Sequence, residues 1–227
     1  TSAWAGLFYF ASRIEREGAE AQAVITWPEG NGRLVAHLHG HARDRVRTDT
    51  AVFDVHASER GVAVSTFTRD RKVVRYEAER VIFAAPHFLA RYVLRAYRES
   101  PPEHALAFEY GAWMVANLTL RKRPKNVGFA PAWDNVLYDS PSLGYVVSTH
   151  QALVDRGRTV WTYYHPLCDA DAKAARRRLL SVGRDEWADI ALADLERAHP
   201  EVRKLVERCD VMRWGHAMVR PKPGFVW

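Results

Sequence analysis

The sequence lacks most of the features that assign a protein to a functional class at first sight. Only two of its 227 residues are cysteine, Cys168 and Cys209, which is too few for a disulfide framework or a cysteine-based metal site. No apolar run reaches about eighteen residues, so no transmembrane helix is predicted. Gly30-Asn31-Gly32 is too short for a phosphate-binding loop, and a Gly-x-Ser-x-Gly nucleophile elbow is absent. The sequence is therefore not expected to be a disulfide-rich protein, a membrane-spanning protein, a P-loop protein or a serine hydrolase.

Targeting signals are also lacking. Residues 1–10 are apolar but carry no basic leader and no cleavage site, so no signal peptide is predicted. The sequence does not begin with Met, and it ends on the apolar run Phe225-Val226-Trp227. We therefore expect an internal segment of a longer protein. Two isolated thiols fit a reducing compartment, and we expect a cytoplasmic location.

Charge of one sign is not concentrated anywhere in the chain. The formal net charge is +6, but the basic residues are scattered in short groups, such as 43–47 and 176–178, and acidic residues interrupt nearly all of these groups, as Asp44 does in 43–47. This scatter indicates solvated surfaces more than a nucleic-acid site. Because 48% of the residues are apolar, the chain can bury a core. We expect a small-molecule substrate and no nucleic-acid partner.

Three histidines at alternate positions, His37, His39 and His41, suggest a metal site on a strand. The apolar residues around them have helical spacing, however, which leaves only His37 and His41 as neighbours. No carboxylate at ligand spacing completes the set. No metal site is predicted.

The hydrophobic periodicity predicts an α+β fold, with a mixed sheet flanked by helices. Short β-like runs and a helix are followed by a second group of strands, two helices and a last strand. The predicted helices are 33–43, 86–98, 171–180 and one capped by Asp185; the predicted strands are 51–56, 61–68, 73–76, 80–84, 113–120, 144–149, 159–164 and 210–219.

Aromatic residues concentrate on the second group of strands, at Trp113, Trp161, Tyr163 and Tyr164. They fill a core, or they line an apolar cavity that holds a flat cofactor ring or an apolar substrate. Polar groups on an otherwise apolar sheet usually face a partner. We therefore take Asn117, Tyr163 and His165 as candidates for substrate contact.

A first segment with family character is TWPEGNGRL at 26–34, followed by a helix and VRTDTAV at 46–52. It resembles the flavin amine oxidase and phytoene desaturase superfamily, in which a glycine-containing turn leads into a helix and a strand passes the adenine of FAD. The resemblance implies that Gly30 and Gly32 let the backbone approach the isoalloxazine ring, and that Trp27 is a further cofactor-binding residue. It also implies that Val52 offers main-chain groups to the adenine.

A second segment, YEAERVIFAAP at 76–86, is similar to a strand of that superfamily that returns to the dinucleotide domain. The resemblance places Ala84 and Pro86 beside the cofactor, where small residues avoid a clash with the nucleotide. Many amine oxidases carry a lysine five residues after this proline, but Arg91 stands there. Arginine is not deprotonated in proteins, so the departure bears on amine oxidation in particular.

A third segment, RWGHAMVRPKPG at 213–224, is similar to the stretch that precedes the last FAD-binding segment of these enzymes. The resemblance places Trp214 and Gly224 near the flavin. The superfamily's G-x-G-x-x-G turn, which holds the pyrophosphate at a helix N-terminus, is absent from these 227 residues. We therefore expect this chain by itself to bind FAD weakly or not at all.

Together the three segments imply a piece of a FAD-dependent oxidoreductase that oxidises an amine or an activated C–H substrate by hydride transfer to flavin. Residues 1–98 correspond to an incomplete FAD-domain portion. Residues 99–212 correspond to the substrate domain, and residues 213–227 return toward the FAD domain. No catalytic residue is identified. A basic α+β nucleic-acid-binding domain and a non-catalytic scaffold remain as alternatives.

Overall fold

A computed structural model describes residues 2–12, 27–125, 128, 130–152, 156–169 and 171–224. The chain divides into two compact units. Residues 34–108 form the smaller unit, and residues 1–33 with 109–227 form the larger unit. The helices and strands are α1 (Ala3–Ala11), α2 (Gly32–Ala42), β1 (Thr50–Ser58), β2 (Gly61–Thr68), β3 (Val73–Ala78), α3 (Ala90–Val93), α4 (Arg95–Glu99), α5 (Glu103–Ala107), β4 (Tyr110–Leu120), β5 (Asp134–Asn135), β6 (Tyr145–Val147), β7 (Thr159–Leu167), α6 (Ala172–Ser181), α7 (Arg184–Glu196), α8 (Val202–Leu205) and β8 (Val206–Val219). The α+β prediction is confirmed.

The smaller unit is built on an antiparallel sheet in the order β1-β2-β3. Strand β1 has a bulge between Val52 and Asp54, and the buried Asp54 carboxylate meets two arginines of α4. Arg95 Nη2 donates to Asp54 Oδ2 at 2.5 Å, and Arg98 Nη2 donates to Asp54 Oδ1 at 2.7 Å. The hydrogen bond from Arg95 holds the pKa of Asp54 below its ordinary value, although burial opposes this. This ion-pair cluster joins α4 to β1.

Two predictions in the smaller unit are wrong. Residues 80–84 do not form a strand, and Ile82 is 92% exposed. Apolar β-branched residues favour a strand, but a strand also needs a ladder partner, and none of the described residues pairs with 80–84. The predicted helix 86–98 is interrupted. It begins with a 3₁₀ turn, His87–Leu89, and breaks at Leu94, whose extended backbone forms a parallel bridge with Val55.

The larger unit is built on a sheet in the order β5-β6-β7-β4-β8, in which all neighbours are antiparallel. Strand β4 alternates as the sequence predicts, and its even-numbered residues from Ala112 to Leu120 are fully buried. These side chains share one core with apolar residues of α6, α7 and α8, among them Leu179, Trp187 and Val202. Helices therefore cover one face of the sheet.

Element boundaries in the larger unit differ from the predicted ones by a few residues. Strands β7 and β8 are longer than predicted, and β6 is shorter. Asp171 caps α6, because its carboxylate accepts from the backbone N–H groups of Lys173 and Ala174. The residue before α7 is Gly183 rather than Asp185, which lies in the first turn of that helix. The prediction that Asp185 caps the helix is therefore wrong.

Gly144 is expected to be essential to the fold of the larger unit. Its φ of +81° is left-handed, and an added Cβ would lie 1.9 Å from the backbone oxygen of Asn135. Because strain and a backbone clash act together, we expect Gly144→Ala to lower the free energy of unfolding by about 3 kcal/mol or more. Urea unfolding of the purified chain measures this loss.

Gly157→Ala is the matched control for this prediction. Gly157 has a φ of +78°, nearly that of Gly144, but an added Cβ would meet nothing within 4 Å. Only the backbone strain remains, and we expect a loss of about 1 kcal/mol. Equal losses in the two variants would contradict the role of the Asn135 contact.

Candidate functional site

The candidate site is one face of the larger unit's sheet. This face is turned away from α6, α7 and α8, and we call it the open face. Successive side chains of a strand point to opposite faces, so the strand register identifies its members. The open face consists of Asp134 (β5), Val146 (β6), Val160, Thr162, Tyr164 and Pro166 (β7), Trp113, Val115, Asn117 and Thr119 (β4), and Arg208, Asp210, Met212 and Trp214 (β8).

One row of the open face crosses all five strands. Asp134 pairs with Val146, Val146 with Thr162, Thr162 with Asn117, and Asn117 with Asp210. We call this the central row. In its middle, Thr162 Oγ1 donates to Asn117 Oδ1 at 2.8 Å. The row therefore has polar amide and hydroxyl groups at its centre and one carboxylate at each end.

The aromatic residues of the open face lie next to the central row. The rings of Trp113 and Tyr164 meet edge to face, with centroids 6.4 Å apart and an interplanar angle of 75°. Trp113 is paired with Trp214, which is 54% exposed. Val115 pairs with both Tyr164 and Met212, in the row next to the central row. The open face thus has an aromatic, apolar region beside a polar one.

The two carboxylates of the central row have different surroundings. Asp210 is neutralised by Arg208, whose Nε lies 2.8 Å from Oδ2. Asp134 is exposed at the edge of the sheet. Burial raises the pKa of the Tyr164 hydroxyl, and the negative charge of Asp134 adds to this shift. The carboxylate of Asp134 therefore acts on the side chain of Tyr164.

Of the three predicted substrate residues, only Asn117 lies on the open face. Tyr163 and His165 point to the opposite face, under the helices, and both are buried. The Tyr163 hydroxyl donates to Asp194 Oδ2 at 2.9 Å, and the ring of His165 lies 5.9 Å from that of Trp187. Burial raises the pKa of Tyr163 and lowers that of His165. Their polar groups therefore face partners inside the core.

Asp194 of α7 is the centre of that buried polar cluster. Its Oδ2 accepts from Ser140 Oγ at 2.6 Å, from Ser142 Oγ at 2.8 Å and from the Tyr163 hydroxyl. Its Oδ1 lies 3.0 Å from Nη1 of Arg197. Burial alone would raise the pKa of Asp194, but these hydrogen bonds outweigh it and the pKa is lowered. The cluster joins the turn before β6, the strand β7 and the helix α7.

Sequence reasoning missed Thr162 and Asp134, and it named Tyr164 only as one of several aromatic residues and not as a candidate for substrate contact. Tyr163 and Tyr164 are both aromatic, so composition does not say which of them faces the helices. The alternation along β7 becomes informative only when β7 is paired with β4. Asp134 lies in a strand of two residues, which is too short for a periodic signal.

The predicted cofactor residues occur in both units. In the larger unit, the N–H of Gly30 bonds to the backbone oxygen of Trp27, and Gly32 begins α2 directly after this turn. Gly30 has a φ of +58°. An added Cβ would meet nothing within 4 Å at Gly30, Gly32 or Gly224, so a bound group could approach the backbone at all three.

The other predicted cofactor residues are also accessible. In the smaller unit, Val52 lies on the edge strand β1, and Ala84 and Pro86 are exposed in the segment before α3. Trp214 lies on the open face of the larger unit. Arg91 is exposed on α3 and donates to the Tyr92 hydroxyl at 2.6 Å.

The described part of the chain has neither a metal-ligand cluster nor a membrane-spanning helix. The rings of His37 and His41 are 4.9 Å apart on α2, as their helical spacing predicts. Among the residues that the structure describes, no three His, Cys, Asp or Glu side chains are grouped to hold a metal ion. In this same part of the chain, no helix has the length and apolar character needed to cross a bilayer.

Comparisons with known proteins agree with the architecture. A family model described as flavin containing amine oxidoreductase matches residues 3–222. Two similar solved structures are a triple and a double mutant of putrescine oxidase, from a structure-based redesign of cofactor binding. Their TM-scores are 0.54 and 0.53, and their sequence identities are 18% and 16%. At these identities the likeness shows a shared fold.

The two structural matches cover most of this chain but only a minor part of the putrescine oxidase chains. In both cases 81% of this chain is covered, but only 38% of the putrescine oxidase chain. The sequence therefore spans well under half the length of the solved structures it matches. A search of curated proteins found no significant match.

The buried Asp194 cluster gives a pH-dependent prediction. Because its folded pKa is depressed, the carboxylate contributes its full stability above the unfolded value, about pH 4, and loses it as the pH falls through the lower folded value. We expect Asp194→Asn to cost about 2 kcal/mol at pH 7, since the charge that accepts these bonds is lost. Urea unfolding at pH 7 and pH 3 should show the difference from the unmodified protein shrinking at the lower pH.

Asp185→Asn serves as the control, because Asp185 is an exposed carboxylate on the same helix. It should leave stability nearly unchanged at both pH values. A loss from Asp194→Asn that is the same at pH 7 and pH 3 would contradict the depressed pKa.

Proposed function

Because the chain belongs to the flavin-containing amine oxidoreductase family, we propose that it is part of a FAD-dependent oxidoreductase. The reaction is oxidation of an amine or an activated C–H substrate by hydride transfer to flavin. The observation that carries the proposal is the open face, where aromatic side chains lie beside the polar central row. The chain covers 38% of its structural neighbours, so the reaction belongs to a longer protein.

In this proposal the open face is the floor of the substrate pocket. Trp113, Tyr164 and Trp214 supply apolar surface that excludes water from the reacting atoms. Asn117 and Thr162 hold each other in place by a hydrogen bond, and their remaining polar groups orient the substrate. Tyr163 and His165 act from behind the sheet, where their contacts with α7 fix the position of β7.

The predicted cofactor residues fit a bound flavin nucleotide. Gly30, Gly32 and Gly224 leave room for a flat ring against the backbone. Val52 lies on an edge strand, so main-chain groups on its outer side are not used by β2. When bound, the flavin supplies the acceptor for the hydride. Trp27, Ala84, Pro86 and Trp214 would complete the contacts that this chain makes.

The assignment of segments follows from the same proposal. Residues 1–98 contribute to the FAD domain, 99–212 form the substrate domain, and 213–227 return to the cofactor. The chain's own residues supply orientation and a water-poor surface, and we name no general base. Arg91 is exposed on α3, where its guanidinium donates to the Tyr92 hydroxyl.

The proposal predicts different flavin contents for the chain and for the longer protein. The chain of 227 residues has no G-x-G-x-x-G turn to bind the pyrophosphate, so it should lose added FAD on desalting. The longer protein should retain it, and an amine added without oxygen should bleach its flavin absorbance. Absorbance spectra before and after desalting measure both.

Two results would count against the proposal in different ways. A longer protein that binds no flavin would contradict the function itself. A chain of 227 residues that retains a full equivalent of FAD would contradict only the assignment of the phosphate-binding residues to another part of the protein.

A further inference from the structure

On the face of the sheet that packs against the helices, Tyr145 of β6 lies between an indole and an imidazole. Its ring stacks on that of Trp161 of β7, with centroids 4.3 Å apart and an interplanar angle of 25°, and both side chains are buried. Its hydroxyl lies 2.7 Å from Nε2 of His199, which comes just after α7. The imidazole also contacts the indole, with centroids 4.7 Å apart. The three side chains form one group, away from the open face.

The imidazole of this group is a base that can take the phenolic proton. Burial lowers the pKa of His199, although the negative charge of Glu201 opposes this. The ring is therefore mostly neutral at pH 7, and one of its nitrogens accepts a hydrogen bond. Burial also raises the pKa of Tyr145 to about 12, so the phenol keeps its proton at pH 7. When His199 carries its own proton on Nδ1, the Tyr145 hydroxyl donates to Nε2 across a short distance.

Other tyrosine hydroxyls have partners that are less suited to take a proton. The hydroxyl of Tyr76 accepts from an arginine. That of Tyr163 donates its one proton to Asp194, which is a weak base because the pKa of this carboxyl is lowered. His165 Nδ1 is 3.4 Å from the same hydroxyl, which is long for an O–H donor. Tyr145 differs from both tyrosines, because its proton points at a neutral base.

This arrangement favours the removal of one electron from Tyr145. Loss of an electron gives a phenol a positive charge and makes its proton strongly acidic. An uncompensated charge on a buried ring is costly. At Tyr145 the O–H bond can break while an N–H bond forms at His199 Nε2, which leaves a neutral tyrosyl radical and an imidazolium. The positive charge is then on a half-buried side chain that the carboxylate of Glu201 stabilises.

We propose that Tyr145 and His199 form a redox site that takes one oxidising equivalent from a strong one-electron oxidant, an oxygen-centred radical or a high-potential metal complex. The oxidant gains one electron, Tyr145 loses one, and the phenolic proton moves to His199 Nε2. Trp161 covers the ring of Tyr145 and keeps water from it, so the radical is long-lived. When one electron returns, the proton moves back to the phenolic oxygen. The hydride transfer of the proposed function does not involve this site.

The test oxidises the chain of 227 residues with tris(bipyridine)ruthenium(III), which a light flash generates from the ruthenium(II) complex and persulfate. Electron paramagnetic resonance follows the tyrosyl radicals, and ring-deuterated tyrosine identifies them. Exposed tyrosines such as Tyr138 also react, but their radicals meet solvent and one another and decay early. We expect a long-lived tyrosyl signal that Tyr145→Phe removes. Tyr76→Phe, the matched control, should retain it.

His199→Gln tests the proton acceptor. Glutamine keeps an oxygen that accepts a hydrogen bond from the phenol, but its amide does not take the proton. We expect the long-lived radical to form about 100-fold more slowly, which is the lower end of what a positioned proton acceptor contributes to a rate. Circular dichroism and thermal unfolding check that each variant is folded.

A measurement on the unmodified chain makes the test independent of how the variants fold. With the transferred proton on Nε2, the radical should show a hyperfine coupling to the nitrogen of isotope-labelled histidine. A long-lived signal that survives in Tyr145→Phe, or that only Tyr163→Phe removes, would overturn the proposal. An unmodified chain with no long-lived signal, or with a signal that lacks the histidine coupling, would overturn it as well.

Discussion

The pairing of β4 with both β7 and β8 is the constraint on which the larger unit depends. Each side chain of β4 is fixed to one face by this double pairing, and alternate residues from Ala112 to Leu120 enter the core with α6, α7 and α8. A slip of one residue would bring Trp113 and Asn117 under the helices and expose Met114 and Leu118. The same hydrophobic burial that stabilises the sheet therefore also determines which residues form the open face.

The face of the sheet that packs against α6, α7 and α8 supports the open face through polar contacts as well as apolar packing. Tyr163 and Tyr164 are adjacent in sequence and lie on opposite faces of β7. The bond from the Tyr163 hydroxyl to Asp194 fixes the strand against α7, and Tyr164 is thereby held beside Trp113. A buried carboxylate is costly unless it is fully hydrogen-bonded, and Asp194 has four donors. The residue that orders the open face is thus not part of that face.

The smaller unit contributes in another way. Its sheet is joined to α4 by the cluster of Asp54, Arg95 and Arg98, and it presents an edge strand and an extended segment around Ile82. Predicted cofactor residues of the proposed function lie in both regions. Such exposed main chain suits a dinucleotide, which is recognised largely through backbone groups and close approach.

The sequence by itself determined the class of the fold, the main strands and helices, and the family. These follow from short-range patterns: the period of two along β4, the Asp171 cap, and three segments of a few residues each that keep the family's character. It did not determine which aromatic side chain of β7 faces the helices, whether residues 80–84 find a partner strand, or that Asp134 and Asp210 end one row. The physical reason is that strand pairing and helix packing join residues far apart in the chain, and the period of a strand leaves the choice of covered face to those partners.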